Sequence, residues 1–148
     1  MPRGILPGMT FALPDTEFGA RAARHLTDDV VAWLTLVDAS GTPQPAPVWF
    51  LWDGSSALVY SMGTAKRLEH LRANPRVALH FDSEDAAAHV VVLTGEAAVD
   101  EDTPPVHENP EYLAKYGERI TGGWGSAEKF ASIYSVPVRI HPKRVRGH

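Results

Sequence analysis

Two adjacent cations, Lys66 and Arg67, stand out in the segment YSMGTAKRLEHL, residues 60–71. Thr64 has the residue type of a helix N-cap, and the following residues have the pattern of a short helix that an Asn-Pro pair ends. The first turn of a helix carries a partial positive charge, so cations there reduce its stability. An anion bound by the backbone N–H groups and both side chains would reverse that effect. Two solvated side chains are the alternative, and this pair alone does not exclude it.

The sequence contains no motif that brings its own acid–base, nucleophilic or metal chemistry. It has no cysteine, which excludes disulfides, thiolate metal sites and cysteine nucleophiles. Its seven histidines lack H-x-H or H-E-x-x-H spacing, so we predict no metal site. Dinucleotide, Walker and G-x-S-x-G motifs are absent, and we interpret GGWGS (residues 122–126) as a flexible connector. If the protein is an enzyme, a cofactor must supply the difficult chemistry.

The composition is that of a globular domain. The 148 residues are 44% hydrophobic and 22% charged, which suffices for one domain with a substantial core. A net charge of −4 implies no broad basic surface, so nucleic acid is not a predicted partner. No apolar window reaches the ~20 residues of a membrane span, and the N-terminus lacks a signal-peptide core. We therefore predict a cytoplasmic protein without a membrane partner, with residues 1–148 as a single domain and 1–14 as a flexible segment.

Hydrophobic patterning predicts a mainly β protein with peripheral helices. The predicted strands are VVAWLTLV (30–37), QPAPVWFLWD (44–53), ALVYS (57–61), RVALHFD (76–82), HVVVLTGEAAVD (89–100) and the final segment from residue 133. The predicted helices are residues 15–27, the segment after residue 64, residues 111–120 and a short piece at 127–132. Short turns join most of the strands, so we expect antiparallel pairing, and six such strands can curl into a small barrel.

The second predicted strand carries prolines at alternate positions, Pro43, Pro45 and Pro47. Side chains and hydrogen-bonding groups alternate along a strand, so all three missing N–H groups lie on one edge. That edge is either a protected free edge of the sheet or a place where something other than a strand approaches. The spacing alone leaves both interpretations open.

The block from Val48 to Asp82 resembles the pyridoxamine 5'-phosphate oxidase-like split β-barrel superfamily. The matching features are a strand, an Asp-Gly turn, a strand that ends in Tyr-Ser, a short gap, a basic pair, a helix, Asn-Pro and another strand. The likeness extends more loosely over the whole chain. The phrase K-R-L-x-x-L-R-x-N-P, the size and the N-terminal helix most resemble class B of the flavin/deazaflavin oxidoreductases, which use coenzyme F420.

The resemblance implies a six-stranded antiparallel split β-barrel of the FMN-binding type, with the cofactor phosphate at the start of the helix. Two basic side chains would bind this phosphate, two hydroxyl groups would donate to it, and a strand would lie along the cofactor ring through its backbone. The implied residues are Lys66 and Arg67 for the phosphate, Ser61 and Thr64 for the hydroxyl groups, and Pro47, Val48, Trp49 and Phe50 for the ring.

The implied function is hydride transfer between reduced F420 and an unidentified small organic substrate, in a homodimer whose cleft both subunits build. The resemblance assigns no catalytic residue. The segment QPAPV replaces an arginine that pyridoxamine phosphate oxidases carry at this strand, which argues against that substrate and weakens the case for FMN. Two alternatives stay open: an FMN-dependent reductase or oxidase, and a non-catalytic protein that binds a flavin or deazaflavin. An excess of aromatic residues fits a cofactor platform and an interface, although core packing explains most of it (Trp49, Trp52, Trp124, Tyr134).

Overall fold

Residues 11–148, the part of the chain that the computed structural model describes, form a curled antiparallel sheet with helices around it. The strands are β1 (Val31–Val37), β2 (Pro43–Trp49), β3 (Leu51–Trp52), β4 (Ala57–Ser61), β5 (Arg76–His80), β6 (Val91–Val99) and β7 (Val136–Gly147). The helices are α1 (Glu17–Asp28), α2 (Arg67–Ala73), α3 (Pro110–Trp124) and α4 (Ala127–Ile133), with a 3₁₀ turn at Val106–Glu108. The strand order is β2-β1-β5-β6-β7-β4-β3. The predicted split β-barrel is confirmed.

The sheet has seven strands instead of the predicted six, because the second predicted strand breaks at Phe50. Before the break, β2 pairs with β1; after it, β3 pairs with β4 through the Asp-Gly turn. Phe50 is fully buried, and its backbone N–H donates to the hydroxyl of Tyr116 on α3 at 2.9 Å. A side chain from a distant helix therefore replaces the sheet hydrogen bond that Phe50 gives up.

β4 separates two hydrophobic clusters and is buried along its whole length. Ala57 and Val59 point into a cluster that α1 and α2 close from one side. Leu58 and Tyr60 point into a second cluster, which the 3₁₀ turn, α3 and α4 form on the other side. Because successive strand residues face opposite ways, one short apolar strand serves both cores.

The proline-rich strand β2 lies at an edge of the sheet, as the spacing predicted. Pro43, Pro45 and Pro47 oppose residues of β1, its one partner strand among the described residues. The edge prolines leave no N–H group on the free side at these positions, so another strand cannot pair there regularly. Residues of β1 and β2 line a groove together with the start of α2.

The start of α2 differs from the sequence prediction. The helix begins at Arg67, and its N-cap position is Lys66, which makes no capping hydrogen bond through its side chain. Thr64, predicted as the cap, lies in the preceding turn and is exposed. The Ala65 N–H donates a hydrogen bond to the Met62 carbonyl, so residues 62–65 form a turn and the helix begins after it. Lys66 thus precedes the helix, and Arg67 alone of the basic pair stands in its first turn.

α3 continues through the glycine-rich segment that we interpreted as a flexible connector. Gly122 and Gly123 are helical, and the helix ends at Gly125, whose φ of 87° suits glycine. Ser126 then caps α4 by accepting a hydrogen bond from the Lys129 N–H. The connector prediction was therefore wrong, because tertiary packing of Trp124 keeps the last turn helical.

At the N-terminus, Phe11 and Leu13 pack against the cluster beneath α1. Residues 1–10 of the predicted flexible segment 1–14 lie outside the described residues. Thr16 caps α1 by accepting from the Gly19 N–H at 3.1 Å. Across residues 11–148, no helix is both long and apolar enough to cross a membrane.

Candidate functional site

A cavity of about 350 Å³, which we call the main cavity, opens where the ends of β2 and β4 meet the start of α2 and the α3–α4 pair. Strand residues form one side, which we call the strand side, and helical and adjoining aromatic residues form the other, the helix side. No acidic residue is among those that line it. The lining residues are Pro47, Val48, Trp49, Val59, Tyr60, Ser61, Met62, Ala65 and Arg67, with Tyr112, Trp124, Phe130 and Tyr134 on the helix side.

Arg67 is the one charged group among these lining residues. Its side chain is half-buried, and burial lowers the pKa of the guanidinium, which Tyr134 nearby partly opposes. An arginine stays charged in proteins, so this charge is held away from water at a cost. It forms no ion pair with a carboxylate among the described residues. An anionic ligand is the natural partner for such a group.

Arg67 also lines a second cavity, of about 270 Å³, on the far side of its side chain. This cavity lies between the β1–β2 pair and the start of α2, where Lys66 and His70 line it. Lys66 is exposed. The two cavities therefore share one cation, Arg67, and a second cation, Lys66, lines the smaller cavity.

Aromatic rings of the strand side and the helix side pack directly on one another. Trp49 stacks on Tyr116 at 4.6 Å between ring centroids and on Phe130 at 5.8 Å, and Phe130 stacks on Tyr134 at 4.5 Å. Trp124 stands edge-on to three of these rings, Trp49, Phe130 and Tyr134. Offset and edge-to-face pairs of this kind fix ring positions. These packed aromatic rings give the cavity a rigid wall that suits a flat ligand.

Two adjacent residues of α3 hold the break between β2 and β3. The Tyr116 hydroxyl accepts from the Phe50 N–H and donates to the Val30 carbonyl at 2.7 Å, with the Phe50 carbonyl at 3.0 Å as a second acceptor. The Lys115 ammonium donates to the same Phe50 carbonyl at 2.9 Å and lies 3.8 Å above the Phe50 ring. Burial lowers the pKa of Lys115 to about 8. Both backbone groups of Phe50 are thus engaged within the protein.

Three tyrosine hydroxyls near the cavity have different surroundings. The Tyr60 hydroxyl donates to the Pro104 carbonyl at 2.6 Å and accepts from Asn109. The Tyr116 hydroxyl is satisfied by backbone groups. Tyr112 is 1% exposed, and its hydroxyl makes no hydrogen bond with any described residue. Burial raises the pKa of this hydroxyl, so it stays protonated.

The structure brings five of the eight predicted cofactor-binding residues to the main cavity: Pro47, Val48, Trp49, Ser61 and Arg67. Lys66 lines the neighbouring cavity. Ser61 is buried, and its hydroxyl donates to the Met62 carbonyl at 3.2 Å. Phe50 and Thr64 line neither of these two cavities.

Sequence reasoning named Trp124 among the aromatic residues that fit a cofactor platform, but it missed the tyrosines of α3. Tyr112, Tyr116 and Ile120 recur four residues apart and are all buried, which is the signature of one helix face turned to a core. That spacing identifies the buried face of the helix. It does not show whether the tyrosines only pack in the core or also line a binding site. Trp52, counted among the excess aromatics, packs edge-on against Phe11 away from the cavity.

A model of the family described as pyridoxamine 5'-phosphate oxidase matches residues 18–148. The match covers β1 to β7 and all the residues that line the main cavity. The sequence has no match among curated proteins.

Solved structures share the fold. An F420 reductase superposes with a TM-score of 0.62 at 24% identity, covering 82% of this chain and 92% of its own. A conserved hypothetical protein from Mycobacterium tuberculosis gives 0.69 at 19% identity, covering 94% and 88%. HutZ, the haem storage protein of Vibrio cholerae, gives 0.61 at 13% identity, covering 89% and 95%. At these identities the likeness establishes the fold alone, which hosts more than one ligand class.

Proposed function

The chain belongs to the pyridoxamine 5'-phosphate oxidase family, and on that premise we propose that it binds coenzyme F420 and transfers a hydride between the reduced cofactor and a small organic substrate. The observation that carries this proposal is the half-buried Arg67 guanidinium, which faces an aromatic cavity and has no carboxylate partner among the described residues. The K-R-L-x-x-L-R-x-N-P phrase that begins with this pair supports F420 over FMN.

The residues present fit a phosphate-bearing deazaflavin. Arg67 and the exposed Lys66 supply two cations for the phosphate, and no acidic residue of the cavity lining would repel it. The rings of Trp49 and Trp124 supply flat apolar surface for a conjugated ring system. Bound there, the cofactor supplies hydride transfer.

The chain's own residues then have positioning roles. Lys66 and Arg67 hold the anionic end, and the segment from Pro47 to Trp49 borders the ring. Tyr116 and Lys115 fix that segment from behind through the backbone of Phe50. Orienting two reactants and excluding water accelerates a hydride transfer without a dedicated acid–base residue.

The partner of this chain in the proposal is a second copy of itself, with both subunits completing the cleft. The alternatives from the same family are an FMN-dependent reductase or oxidase and a protein that binds the cofactor without turnover.

Titration of the purified protein with F420 and, separately, with FMN tests the proposal. Trp49 and Trp124 lie at the cavity, so a bound ring should quench tryptophan fluorescence. We expect saturable quenching with F420 at lower concentration than with FMN. Tighter binding of FMN would favour the FMN-dependent alternative, and no binding of either would overturn the proposal. Oxidation of reduced F420 by a panel of acceptors, followed at 420 nm, then separates an enzyme from a carrier.

A further inference from the structure

His25 is a buried histidine that the proposed function does not use. It lies on α1 with 6% of its surface exposed, and its ring stacks on Phe81 at 5.0 Å between ring centroids. Its Nδ1 lies 2.7 Å from a carboxylate oxygen of Asp29, the C-cap residue of the same helix. Its Nε2 lies 3.8 Å from a carboxylate oxygen of Glu84, which belongs to the connection between β5 and β6, residues 81–90. Each ring nitrogen therefore faces a carboxylate.

The charge of the His25 ring decides whether it attracts Glu84. One nitrogen of a neutral imidazole donates a hydrogen bond and the other accepts. The 2.7 Å contact makes Nδ1 the donor to Asp29, so Nε2 of the neutral ring turns a lone pair toward the Glu84 carboxylate. Protonation places a second N–H on Nε2 and converts this contact into an ion pair. Because a histidine changes charge between about pH 5 and 8, His25 attracts the β5–β6 connection at the acidic end of this range.

Two cations also act on these carboxylates. Arg24 of α1 lies 4.0 Å from the second carboxylate oxygen of Glu84, at an exposed position where ion pairs contribute little. Burial lowers the pKa of the Lys115 ammonium on α3 to about 8, and the acidic residues 28 and 29 at the end of α1 partly oppose this shift. Arginine stays charged, and Lys115 is mostly charged below pH 8. His25 is therefore the group of this cluster whose charge changes most between about pH 5 and 7.5.

The β5–β6 connection has a backbone conformation that needs support. Asp85, Ala86 and Ala87 have φ of 54°, 52° and 70°, in the left-handed region that disfavours residues with a side chain. Two backbone hydrogen bonds between Glu84 and His89, of 3.0 and 3.1 Å, close the turn. Without the contact between α1 and Glu84, relief of this strain favours opening of the turn.

Two other histidines belong to this connection or contact it. The Nδ1 of His89 is buried without a hydrogen-bond partner among the described residues. The Nε2 of the exposed His148 lies 3.2 Å from the Ala87 carbonyl. The histidines that lie within 4.0 Å of a carboxylate in the described part of the chain are His25 and, on the 3₁₀ turn, His107. A pH-dependent contact with a carboxylate in this region therefore belongs to His25.

Two routes of contact lead from His25 to the wall of the main cavity. Phe81, on which its ring stacks, packs against Phe50 at 5.7 Å between ring centroids. The C-cap residue of α1 precedes Val30, whose carbonyl accepts a hydrogen bond from the Tyr116 hydroxyl. The same hydroxyl accepts from the Phe50 N–H. Both routes end at the break between β2 and β3, directly after the last cavity-lining residue of β2.

We propose that His25 regulates the main cavity in response to pH. In its protonated form it holds Glu84, and with it the β5–β6 connection, against α1, and loss of the proton releases the connection. Release frees Phe81 to move, so the wall of the cavity must be ordered when F420 binds, and the affinity falls. The regulation of F420 binding rests on the proposed function, whereas the contact between His25 and Glu84 does not.

Amide hydrogen exchange measured by NMR at pH 5 and pH 7.5 tests the contact. Protection factors, which correct for the intrinsic effect of pH, should fall roughly three- to tenfold for the amides of residues 84 and 89 in the wild-type protein. In Glu84→Gln they should be low at both pH values. In Glu96→Gln, a control whose carboxylate pairs with Lys143 at 3.2 Å, they should fall as in the wild type. Equal protection at both pH values in the wild type, or the wild-type fall in Glu84→Gln, would overturn the proposal.

Two further measurements identify His25 as the group responsible. Nitrogen chemical shifts at pH 7.5 should show that its neutral ring carries the proton on Nδ1, since this nitrogen donates to Asp29. A neutral ring protonated on Nε2 would donate to Glu84 at both pH values and would overturn the proposal. His89→Gln should keep the pH dependence of protection, and loss of that dependence would assign the effect to His89 instead.

Titration with F420 at the same two pH values tests the regulation. The ratio of wild-type to Glu84→Gln affinity cancels any titration of the ligand itself. We expect this ratio to be roughly three- to tenfold at pH 5 and near one at pH 7.5. An equal ratio at both pH values would overturn the regulation of the cavity. If neither F420 nor FMN binds while protection depends on pH as stated, the proposed function fails and the contact between His25 and Glu84 stands.

Discussion

Tyr112 and Tyr116 lie four residues apart on one face of α3, yet their hydroxyls have opposite surroundings. The Tyr116 hydroxyl joins β1 to the strand break, whereas the Tyr112 hydroxyl has no partner among the described residues. Removing each oxygen therefore compares a tyrosine that joins two parts of the sheet with one whose hydroxyl makes no hydrogen bond with a described residue. The two positions form a matched pair, because Tyr→Phe changes the same atoms in the same helix.

We predict that Tyr116→Phe lowers the free energy of unfolding by about 1–3 kcal/mol, since it leaves the buried Phe50 N–H without an acceptor. Tyr112→Phe, the control, should leave that free energy unchanged or slightly raise it, since no hydrogen bond is lost. Urea denaturation of both variants measures the difference. Equal destabilisation by the two substitutions would contradict these assignments.

Lys115 gives a prediction about pH. Burial lowers its pKa from about 10.5 to about 8, so above about pH 8 the folded protein has released a proton that the unfolded chain still binds. The free energy of unfolding contributed by this group therefore rises with pH between about 8 and 10. Lys115→Met should lack the rise. Urea unfolding at two pH values within and below this range compares the variant with the wild type, and a difference independent of pH would refute the assignment.

At the scale of elements, α3 contributes to the site in two ways. Its Tyr112 and Trp124 line the cavity, and its Lys115 and Tyr116 hold the break between β2 and β3. The glycine-rich end of the helix brings Trp124 to the cavity, so its helical conformation is part of the site. This conformation contradicts the local sequence signal, which favours a loop.

Gly122→Ala tests that the end of α3 is helical. A Cβ at Gly122 would meet no atom of the described residues within 4 Å, and alanine is a better helix former than glycine. We expect the substitution to raise the free energy of unfolding by about 0.5–1 kcal/mol. Gly125→Ala should lower it, because the φ of 87° there disfavours a side chain. If Gly122→Ala destabilises as much as Gly125→Ala, the segment is a loop.

At the scale of the whole molecule, α3 and α4 cover the outer face of the sheet at β4 and Trp49, but neither hydrophobic cluster includes the β1 residues of this face. Val31 is 40% exposed, and Trp33 lies on the same face of β1 outside both core clusters. Across the sheet, Trp33 is opposite His80, and His80 is opposite Val92. Val31 and Trp33 are the side chains on this face that a second protein surface would cover.

We predict that the chain forms a homodimer through this outer face. Light scattering of the purified protein should give twice the chain mass of 16.1 kDa at micromolar concentrations. Trp33→Lys should shift the mass toward that of one chain, because a charge would be buried in the interface. A mass of one chain for the wild-type protein across this range would exclude the dimer.

The parts of the fold that local rules govern were predictable from the sequence. The proline spacing marked β2 as an edge strand, and the apolar runs marked the strands of the barrel. The break at Phe50 was not predictable, because its hydrogen-bond partner Tyr116 lies 66 residues away. The helix start was misplaced because Thr64 has the right residue type but the wrong backbone position.

The candidate site also has residues that the sequence predicted and residues that it did not. Arg67 and the segment from Pro47 to Trp49 came from a local motif, and the structure brings them to one cavity. Tyr112 was missed, because its environment depends on residues that are distant in the sequence. Its ring packs against Tyr60 at 4.9 Å between centroids, and its hydroxyl makes no hydrogen bond with a described residue. Burial of a polar group is decided by tertiary packing, which a single sequence does not display.

The central claim is that Lys66 and Arg67 bind the anionic end of F420, and titration of the Lys66→Ala/Arg67→Ala double variant with F420 tests it most directly. We predict that binding weakens by roughly 2–4 kcal/mol, the loss expected for two charge-assisted hydrogen bonds with some rescue by the backbone. Added salt should weaken binding to the wild-type protein much more than to the variant. The free energy of unfolding without ligand should stay the same or rise slightly, because Arg67 no longer opposes the helix dipole. If the double variant binds F420 as tightly as the wild type does, both side chains are solvated surface groups and the site assignment is wrong.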